Sequence, residues 1–258
     1  MTDIYTPPAG LLQGRIILVT GANRGIGACA AKTFATYGAT VILVGRKKKE
    51  LEVIYDEIEQ AGHPQPAIFL LDLGKAPPEE YEKMADVLEG EFGRLDGLLH
   101  NAAILGQLAP LELYSLVQWG KVMQVNLNAP LLLTRACLRL LKKSADASIV
   151  FTGDEVGRKG RAYWGAYGVG KFAIEGLVQI LADELENSTA IRVNSLDPGP
   201  VRTALRAQAY PGGDVITLAE PEAIMPLYLY LLGPDSKGST GQAFSAQKMA
   251  STPVISAC

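Results

Sequence analysis

The chain has 258 residues, of which 48% are hydrophobic and 20% are charged, so it can bury a large core and is not intrinsically disordered. Its 24 basic and 27 acidic residues give a formal net charge of −3, which argues against a nucleic-acid-binding protein or an acidic interaction tail. No uninterrupted apolar run approaches the roughly 20 residues that a membrane-spanning helix needs. The first dozen residues lack the basic and apolar regions of a secretory signal. The composition therefore predicts a cytoplasmic protein without membrane contact, folded as a single domain over residues 1–258.

Cysteine and histidine usage argues against disulfide bonds and metal sites. Cys29, Cys137 and Cys258 are odd in number and far apart, which fits a reducing compartment. The chain has only two histidines, His63 and His100. We expect no metal ion.

Short aliphatic runs alternate along the chain with longer segments of helical periodicity. Six strands are predicted at residues 15–20, 40–44, 67–71, 96–100, 148–152 and 191–196. Helices are predicted at residues 25–37, 47–60, 78–92, 111–142 and 163–187. Because the strands are apolar throughout rather than alternating, both sheet faces should be covered by helices. This order predicts an α/β fold of the Rossmann type with one doubly wound parallel sheet. The aperiodic segment around 198–221 predicts a loop-rich substrate lid.

The first predicted strand runs directly into a glycine-rich turn, TGANRGIG at residues 20–27. Its spacing is G-x3-G-x-G, which differs from the G-x-G-x-x-G pattern of many dinucleotide-binding proteins. Glycines permit a tight turn and close backbone approach to a pyrophosphate, and the following helix N-terminus attracts an anion. A simple strand-to-helix turn is the alternative interpretation, but the position at the first βα junction favours nucleotide binding.

The end of the second strand indicates which dinucleotide is bound. Enzymes that use NAD usually carry an acid there for the ribose hydroxyl, whereas arginine accommodates a 2′-phosphate. The strand ends in Val44-Gly45-Arg46 with no acid, and three lysines follow. A solvated basic face accounts for most of the lysines, but Arg46 together with Arg24 favours NADP(H) over NAD(H).

A tyrosine and a lysine near the start of the last predicted helix form a candidate acid/base pair. Tyr167 and Lys171 are four residues apart and share one helix face. An ammonium near a phenol favours the phenolate, so we expect the pKa of Tyr167 to be lowered toward neutrality. A surface lysine beside a half-buried tyrosine is the alternative, since this pattern is common by chance.

With these motifs together, the chain resembles a classical short-chain dehydrogenase/reductase over nearly its whole length. The matching residues are Thr20, Gly21, Gly25, Gly27, Asp72, His100, Asn101, Ala102, Ala103, Asn126, Tyr167, Lys171, Pro198 and Gly199. Residues 157–173 and 222–244 further resemble the YciK-type oxidoreductases, a branch of the family that implies no particular substrate.

The resemblance implies roles for individual residues. Tyr167 would pass the proton, Lys171 would bind the nicotinamide ribose, and Asn126 would hold a water for proton relay. Together with the turn and Arg46, it predicts cofactor contacts at Gly21, Asn23, Arg24, Gly25, Ile26, Gly27, Arg46, Asp72, Leu73, Asn101, Ala102, Tyr167, Lys171, Pro198, Gly199, Val201 and Thr203. It also implies a homodimer or homotetramer, in which the helices at 111–142 and 163–187 pack between subunits.

One departure from the family pattern falls on a catalytic position. The family serine stands thirteen residues before the tyrosine, and that position holds Asp154. A serine hydroxyl donates a hydrogen bond to the developing oxyanion, whereas an ionised carboxylate only accepts. Beside Tyr167, the carboxylate would also oppose phenolate formation and repel the oxyanion.

Four interpretations of Asp154 remain open at this stage. It is held protonated and donates, which favours activity at lower pH. Alternatively, Thr152, two residues earlier and so on the same side of an extended strand, supplies the hydroxyl. In the third interpretation the site is weak or silent. In the fourth, Asp154 pairs with Arg158 or Arg161 and points away from the site.

The sequence thus predicts an NADP-dependent oxidoreductase that moves a hydride between nicotinamide and a small-molecule carbonyl or secondary alcohol. The alternative is a catalytically weak or silent dinucleotide-binding or scaffold protein. Tyr163, Trp164 and Tyr210 are further candidates for the substrate pocket, whereas Tyr228 fits a core or subunit contact better.

Overall fold

The protein, described by a computed structural model over residues 5–214 and 217–246, is built on one parallel sheet of seven strands. The strands are β1 (Ile16–Thr20), β2 (Thr40–Gly45), β3 (Ala67–Leu70), β4 (Gly97–His100), β5 (Ala147–Thr152), β6 (Ile191–Asp197) and β7 (Ala243–Ser245). Their order is β3-β2-β1-β4-β5-β6-β7, so the direction of winding reverses between β1 and β4. A crevice opens at such a point, beyond the carboxyl ends of the strands.

Helices cover both faces of the sheet. They are α1 (Gly25–Thr36), α2 (Lys48–Gln60), α3 (Pro78–Phe92), α4 (Leu116–Met123), α5 (Ala129–Leu141), α6 (Gly165–Glu186), α7 (Ala204–Ala209) and α8 (Met225–Leu232). Successive residues of a strand point to opposite faces: Leu18 packs with α3, α5 and α6, whereas Ile17 and Val19 pack with α1, α2 and α8. The predicted doubly wound Rossmann-type fold is therefore confirmed.

The prediction of one helix over residues 111–142 is wrong. Residues Leu111–Leu113 form a single 3-10 turn, and α4 begins only after Ser115, whose hydroxyl accepts from the backbone N–H of Gln118. Between α4 and α5 the residues Gln124–Asn128 form a π-helical turn. Pro130 explains this widening, because its ring clashes with the carbonyl four residues earlier and supplies no N–H to it.

Two further features differ from the sequence-based expectations. The seventh strand, β7, was not predicted, because it has only three residues, and it gains its place by pairing with β6. The segment around 198–221 contains the helix α7, whose N-terminus is capped by the Thr203 hydroxyl. None of the described helices is long and apolar enough to cross a bilayer.

Candidate active site

A cleft of about 880 Å³ lies at the carboxyl ends of the strands, where the winding reverses. It collects most of the predicted site residues, which are far apart in sequence. Those that line it are Gly21, Asn23, Arg24, Gly25, Ile26, Arg46, Asp72, Leu73, Asn101, Ala102, Asp154, Tyr167, Lys171, Pro198, Gly199, Val201 and Thr203. Gly27 and Asn126 do not line the cleft themselves. They lie against residues that do, Gly27 against Gly21 and Asn126 against Ile104.

The glycine turn forms one end of the cleft. Gly21 has φ +67°, a conformation that favours glycine, and a Cβ there would stand 3.0 Å from the Cα of Ala102. A Cβ at Gly27 would overlap the carbonyl of Gly21 and the side-chain amide of Asn101. The turn therefore depends on glycine to keep its backbone close to the loop after β4 and accessible to a ligand.

Side chains behind the cleft hold the loop after β4 in place. The Thr20 hydroxyl accepts from the backbone N–H groups of Asn101 at 3.0 Å and Ala102 at 3.1 Å. Asn126, on the π-helical turn, clamps Ile104 twice: its amide donates to the Ile104 carbonyl and its oxygen accepts from the Ile104 N–H, both at 2.9 Å. The side chain of Asn126 thus shapes the cleft wall through Ile104.

Basic side chains gather at the end of the cleft beside β2. Arg24 comes from the glycine turn, and Arg46 and Lys47 follow β2. No acid occupies the last position of β2, which is Gly45. A glycine cradle with two arginines beside it fits a phosphorylated dinucleotide: the turn would approach the pyrophosphate, and Arg24 and Arg46 would hold a 2′-phosphate.

Tyr167, Lys171 and Asp154 meet on the opposite wall. The Tyr167 hydroxyl donates to Asp154 Oδ2 at 2.9 Å, and Asp154 Oδ1 accepts from the backbone N–H of Val156 at 3.0 Å. The Lys171 ammonium donates to the Thr152 carbonyl at 2.6 Å and lies 5.6 Å from the centre of the Tyr167 ring. Asp154 therefore faces Tyr167 directly, whereas Lys171 contacts the strand end.

The electrostatics of this group differ from the sequence-based expectation. Burial, followed by the charge and hydrogen bond of Asp154, raises the pKa of Tyr167 well above its usual value. Burial lowers the pKa of Lys171, while nearby acids, Asp154 first, act in the opposite direction. The expected lowering of the Tyr167 pKa is therefore wrong for the protein alone, because burial and a carboxylate outweigh the ammonium.

The interpretation that Asp154 turns away to an arginine is also wrong. Arg158 pairs instead with Glu175 at 3.2 Å, and Arg161 pairs with Glu155 at 2.9 Å. Asp154 keeps its contact with Tyr167.

Thr152 lines the cleft, but its hydroxyl is hydrogen-bonded to a core residue. The partner is the buried Tyr228 hydroxyl, at 3.0 Å. Tyr228 belongs to α8 and packs in the core with α1, whereas Tyr167 belongs to a separate hydrophobic cluster. This position disfavours Thr152 as a replacement for the missing serine.

Several cleft residues were missed by sequence reasoning. Asp197 ends β6, its Oδ1 accepts from the Gly199 N–H at 2.9 Å, and burial raises its pKa. Its place at the carboxyl end of a parallel strand could have indicated it. The guanidinium carbon of Arg206, on α7, lies 3.7 Å from the centre of the Tyr210 ring. No motif in the predicted lid indicated Arg206.

The aromatic candidates for the pocket separate into two groups. Trp164 and Tyr210 line the cleft, whereas Tyr163 is exposed and Tyr228 lies in the core.

His100 shares a hydrogen bond of 2.8 Å with the Thr134 hydroxyl and stacks on Phe151, and burial lowers the pKa of His100 to about 3. His100 is therefore a neutral core residue. No three His, Cys, Asp or Glu side chains within residues 5–214 and 217–246 are grouped to hold a metal ion, and Cys258 lies outside the described residues.

The sequence pattern of the short chain dehydrogenase family matches residues 15–212. The uncharacterized oxidoreductase YciK of Escherichia coli (strain K12) is 49% identical over 243 residues, which are 94% of this chain and 96% of that protein. A protein from Pseudomonas syringae, assigned to the short chain dehydrogenases, superposes with a TM-score of 0.94 and 56% identity, covering 96% of this chain and all of the other.

A second solved structure carries a bound cofactor. This protein from Escherichia coli CFT073, also assigned to the short chain dehydrogenases, was crystallised in complex with NADPH. It is 49% identical, has a TM-score of 0.91, and covers 93% of this chain and 100% of its own.

Proposed function

The chain belongs to the short-chain dehydrogenase/reductase family of NAD(P)-dependent oxidoreductases, and on that premise we propose that it uses NADP(H) to interconvert a small-molecule carbonyl and its secondary alcohol. The observation that carries this proposal is the group of Tyr167, Asp154 and Lys171 in the wall of the cleft that also contains the glycine turn. It places an acid/base candidate and a cofactor cradle around one space.

The preference for NADP(H) rests on the charges beside β2. Arg24 and Arg46 line the cleft there and no acid ends the strand. The NADPH bound to the related E. coli CFT073 protein agrees with this choice.

We expect NADPH to bind more tightly than NADH in a fluorescence titration. Arg46→Ala should weaken NADPH binding by about tenfold or more and leave NADH nearly unchanged, because only NADPH carries the phosphate that the guanidinium would contact. The matched control is Arg135→Ala, since Arg135 lies on α5 and is not a cleft residue. Tighter binding of NADH by the wild type would refute the preference.

Residues of the cleft would bind the cofactor and hold the proton for the reaction. When bound, the nicotinamide supplies or accepts the hydride. Tyr167 holds the transferable proton on its hydroxyl, and Lys171 would bind the nicotinamide ribose and bring a positive charge beside the phenol. Pro198, Gly199, Val201 and Thr203 would flank the nicotinamide. Asn126 would hold a relay water, in addition to its clamp on Ile104.

Asp154 gives the site two states. Ionised, it accepts the Tyr167 proton in a hydrogen bond and keeps that hydroxyl from a substrate carbonyl. Protonated, it donates, and it no longer repels the charge that develops on the substrate oxygen. We infer that carbonyl reduction requires a hydrogen-bond donor at position 154, which the ionised carboxylate is not.

A second candidate function follows from the same contact. If Asp154 stays ionised when cofactor and substrate bind, the Tyr167 hydroxyl remains engaged and the protein binds the dinucleotide without appreciable turnover. The raised pKa of Tyr167 favours this alternative. NADPH binding without turnover across ketones, aldehydes and quinones, down to acidic pH, would support it.

We also propose a cytoplasmic homodimer or homotetramer. Apolar side chains are exposed along α6, where Phe172 is 45% and Ile180 is 58% exposed, and Leu131 on α5 is 44% exposed. Phe172 and Ile180 are eight residues apart and so lie on one helix face. Burying this face against a second copy would remove it from water.

We expect light scattering on the purified protein to give the mass of a dimer or tetramer. Phe172→Asp should shift the mass toward the monomer, because a charge would be buried in the interface. Val53→Asp, at a similarly exposed apolar position on α2, should leave the assembly unchanged. A monomeric wild type would contradict the proposal.

A further inference from the structure

Glu50 lies in the first turn of α2 and contacts two residues at the basic end of the cleft. Its Oε2 accepts from the Asn23 side-chain amide at 2.5 Å, and its Oε1 accepts from the Lys47 ammonium at 2.5 Å. Asn23 belongs to the glycine turn and Lys47 follows β2, and both line the cleft. One carboxylate thus joins the two segments that frame this corner.

The carboxylate carries its charge at neutral pH. The hydrogen bonds from Lys47 and Asn23 lower the pKa of Glu50, and the nearby charge of Arg24 acts in the same direction. Glu50 therefore places a permanent negative charge among the cations that a phosphate would meet.

We propose that Glu50 is a specificity-determining residue, an internal anion that occupies donors of the 2′-phosphate corner and weakens the preference for NADP(H) over NAD(H). The inference rests on the proposed use of NADP(H). A 2′-phosphate carries close to two negative charges. To bind, it must take the Asn23 and Lys47 donors from Glu50 or stand beside the Glu50 charge, and either costs affinity.

NADH does not meet this cost. Its ribose carries a neutral 2′-hydroxyl at the same place, which the charge of Glu50 does not repel. Glu50 therefore acts against one cofactor and not the other, so this chain should discriminate less than its two arginines alone would allow.

The test is a set of binding titrations with NADPH and NADH on the full-length protein, without substrate. Glu50→Gln keeps the shape of the side chain and removes its charge. We expect it to bind NADPH about tenfold more tightly at low ionic strength, with NADH nearly unchanged. The gain should shrink in high salt, because the interaction between partly exposed charges is screened.

A matched control lies on the same helix. Glu52 pairs with Lys48 at 3.5 Å, and Lys48 does not line the cleft, unlike the Asn23 and Lys47 partners of Glu50. Glu52→Gln therefore changes the net charge equally without altering the contacts of the corner. It should leave both affinities as in the wild type. An equal gain in Glu52→Gln would reduce the effect to general charge and overturn the assignment.

The remaining outcomes separate the inference from the proposed function. If wild-type protein binds neither cofactor or prefers NADH, the proposed NADP(H) function fails whatever Glu50→Gln does. If wild-type protein prefers NADPH and Glu50→Gln weakens NADPH, Glu50 positions the cations instead of competing, and the inference is wrong. A loss of NADH binding alone would make Glu50 a ribose-hydroxyl ligand, which also overturns it.

Discussion

Tyr167→Phe is expected to reduce NADPH-dependent carbonyl reduction by about a hundred- to ten-thousand-fold, the usual contribution of a positioned general acid. The substitution removes the hydroxyl that faces Asp154 and keeps the ring. The ring is 3% exposed and packs 5.6 Å from the Trp164 ring, centre to centre, so the fold should tolerate the change. NADPH binding should change little, and turnover against a panel of ketones, aldehydes and quinones measures the effect.

Tyr210→Phe is the matched control for this prediction. Tyr210 also lines the cleft, and its ring stacks against Arg206, a contact that phenylalanine can keep. Because Tyr210→Phe removes only a hydroxyl that is not assigned to proton transfer, this variant should keep most of the carbonyl-reducing activity. If Tyr167→Phe turned over substrate at the wild-type rate, another group would supply the proton and the assignment of Tyr167 would fall.

The fold was predictable because its signals are local and repeated. The largely apolar strands at 15–20, 40–44 and 148–152 indicate burial on both faces of the sheet, and the glycine turn marks the first βα junction. β7 was not predicted because three residues carry no periodicity, and only its pairing with β6 makes it a strand. The π-helical turn at Gln124–Asn128, between α4 and α5, was not predicted because the apolar pattern continues across it.

The candidate site was predictable as a set of residues but not as a set of interactions. The motifs located Tyr167, Lys171 and Asp154, and the cleft brings all three together. The direction of the Tyr167 pKa could not be read from the spacing to Lys171, because it depends on burial and on where the Asp154 carboxylate points. The contact between Asn23 and Glu50 joins residues on separate elements, which no motif connects.

Asp154→Ser is expected to raise the rate of carbonyl reduction at neutral pH by about a hundred- to a thousand-fold, the usual worth of one oxyanion donor. The serine hydroxyl would donate to the substrate oxygen where the ionised carboxylate repels it. It would also release the Tyr167 hydroxyl from its 2.9 Å hydrogen bond and remove a carboxylate that raises the Tyr167 pKa. Steady-state turnover of NADPH with the best ketone or aldehyde of the panel measures the gain.

Asp154→Asn identifies the cause of this gain. The asparagine amide removes the negative charge and supplies an N–H donor, so this variant should also reduce the carbonyl faster than the wild type at neutral pH. The comparison is the ratio of each variant's rate to the wild-type rate at the same pH.

The opposite result would assign Asp154 a different chemical role. If Asp154→Ser and Asp154→Asn both lost activity at neutral pH, the ionised carboxylate would be required, as a base that accepts a proton through its contact with Tyr167. Alcohol oxidation would then be the favoured direction, because an alcohol has a proton to give and a carbonyl does not. The absence of turnover in the wild type and in both variants, with NADPH still bound, would instead support the dinucleotide-binding protein without turnover. The two variants together therefore distinguish a reductase limited by Asp154 from an enzyme that uses the charge of Asp154 and from a silent site.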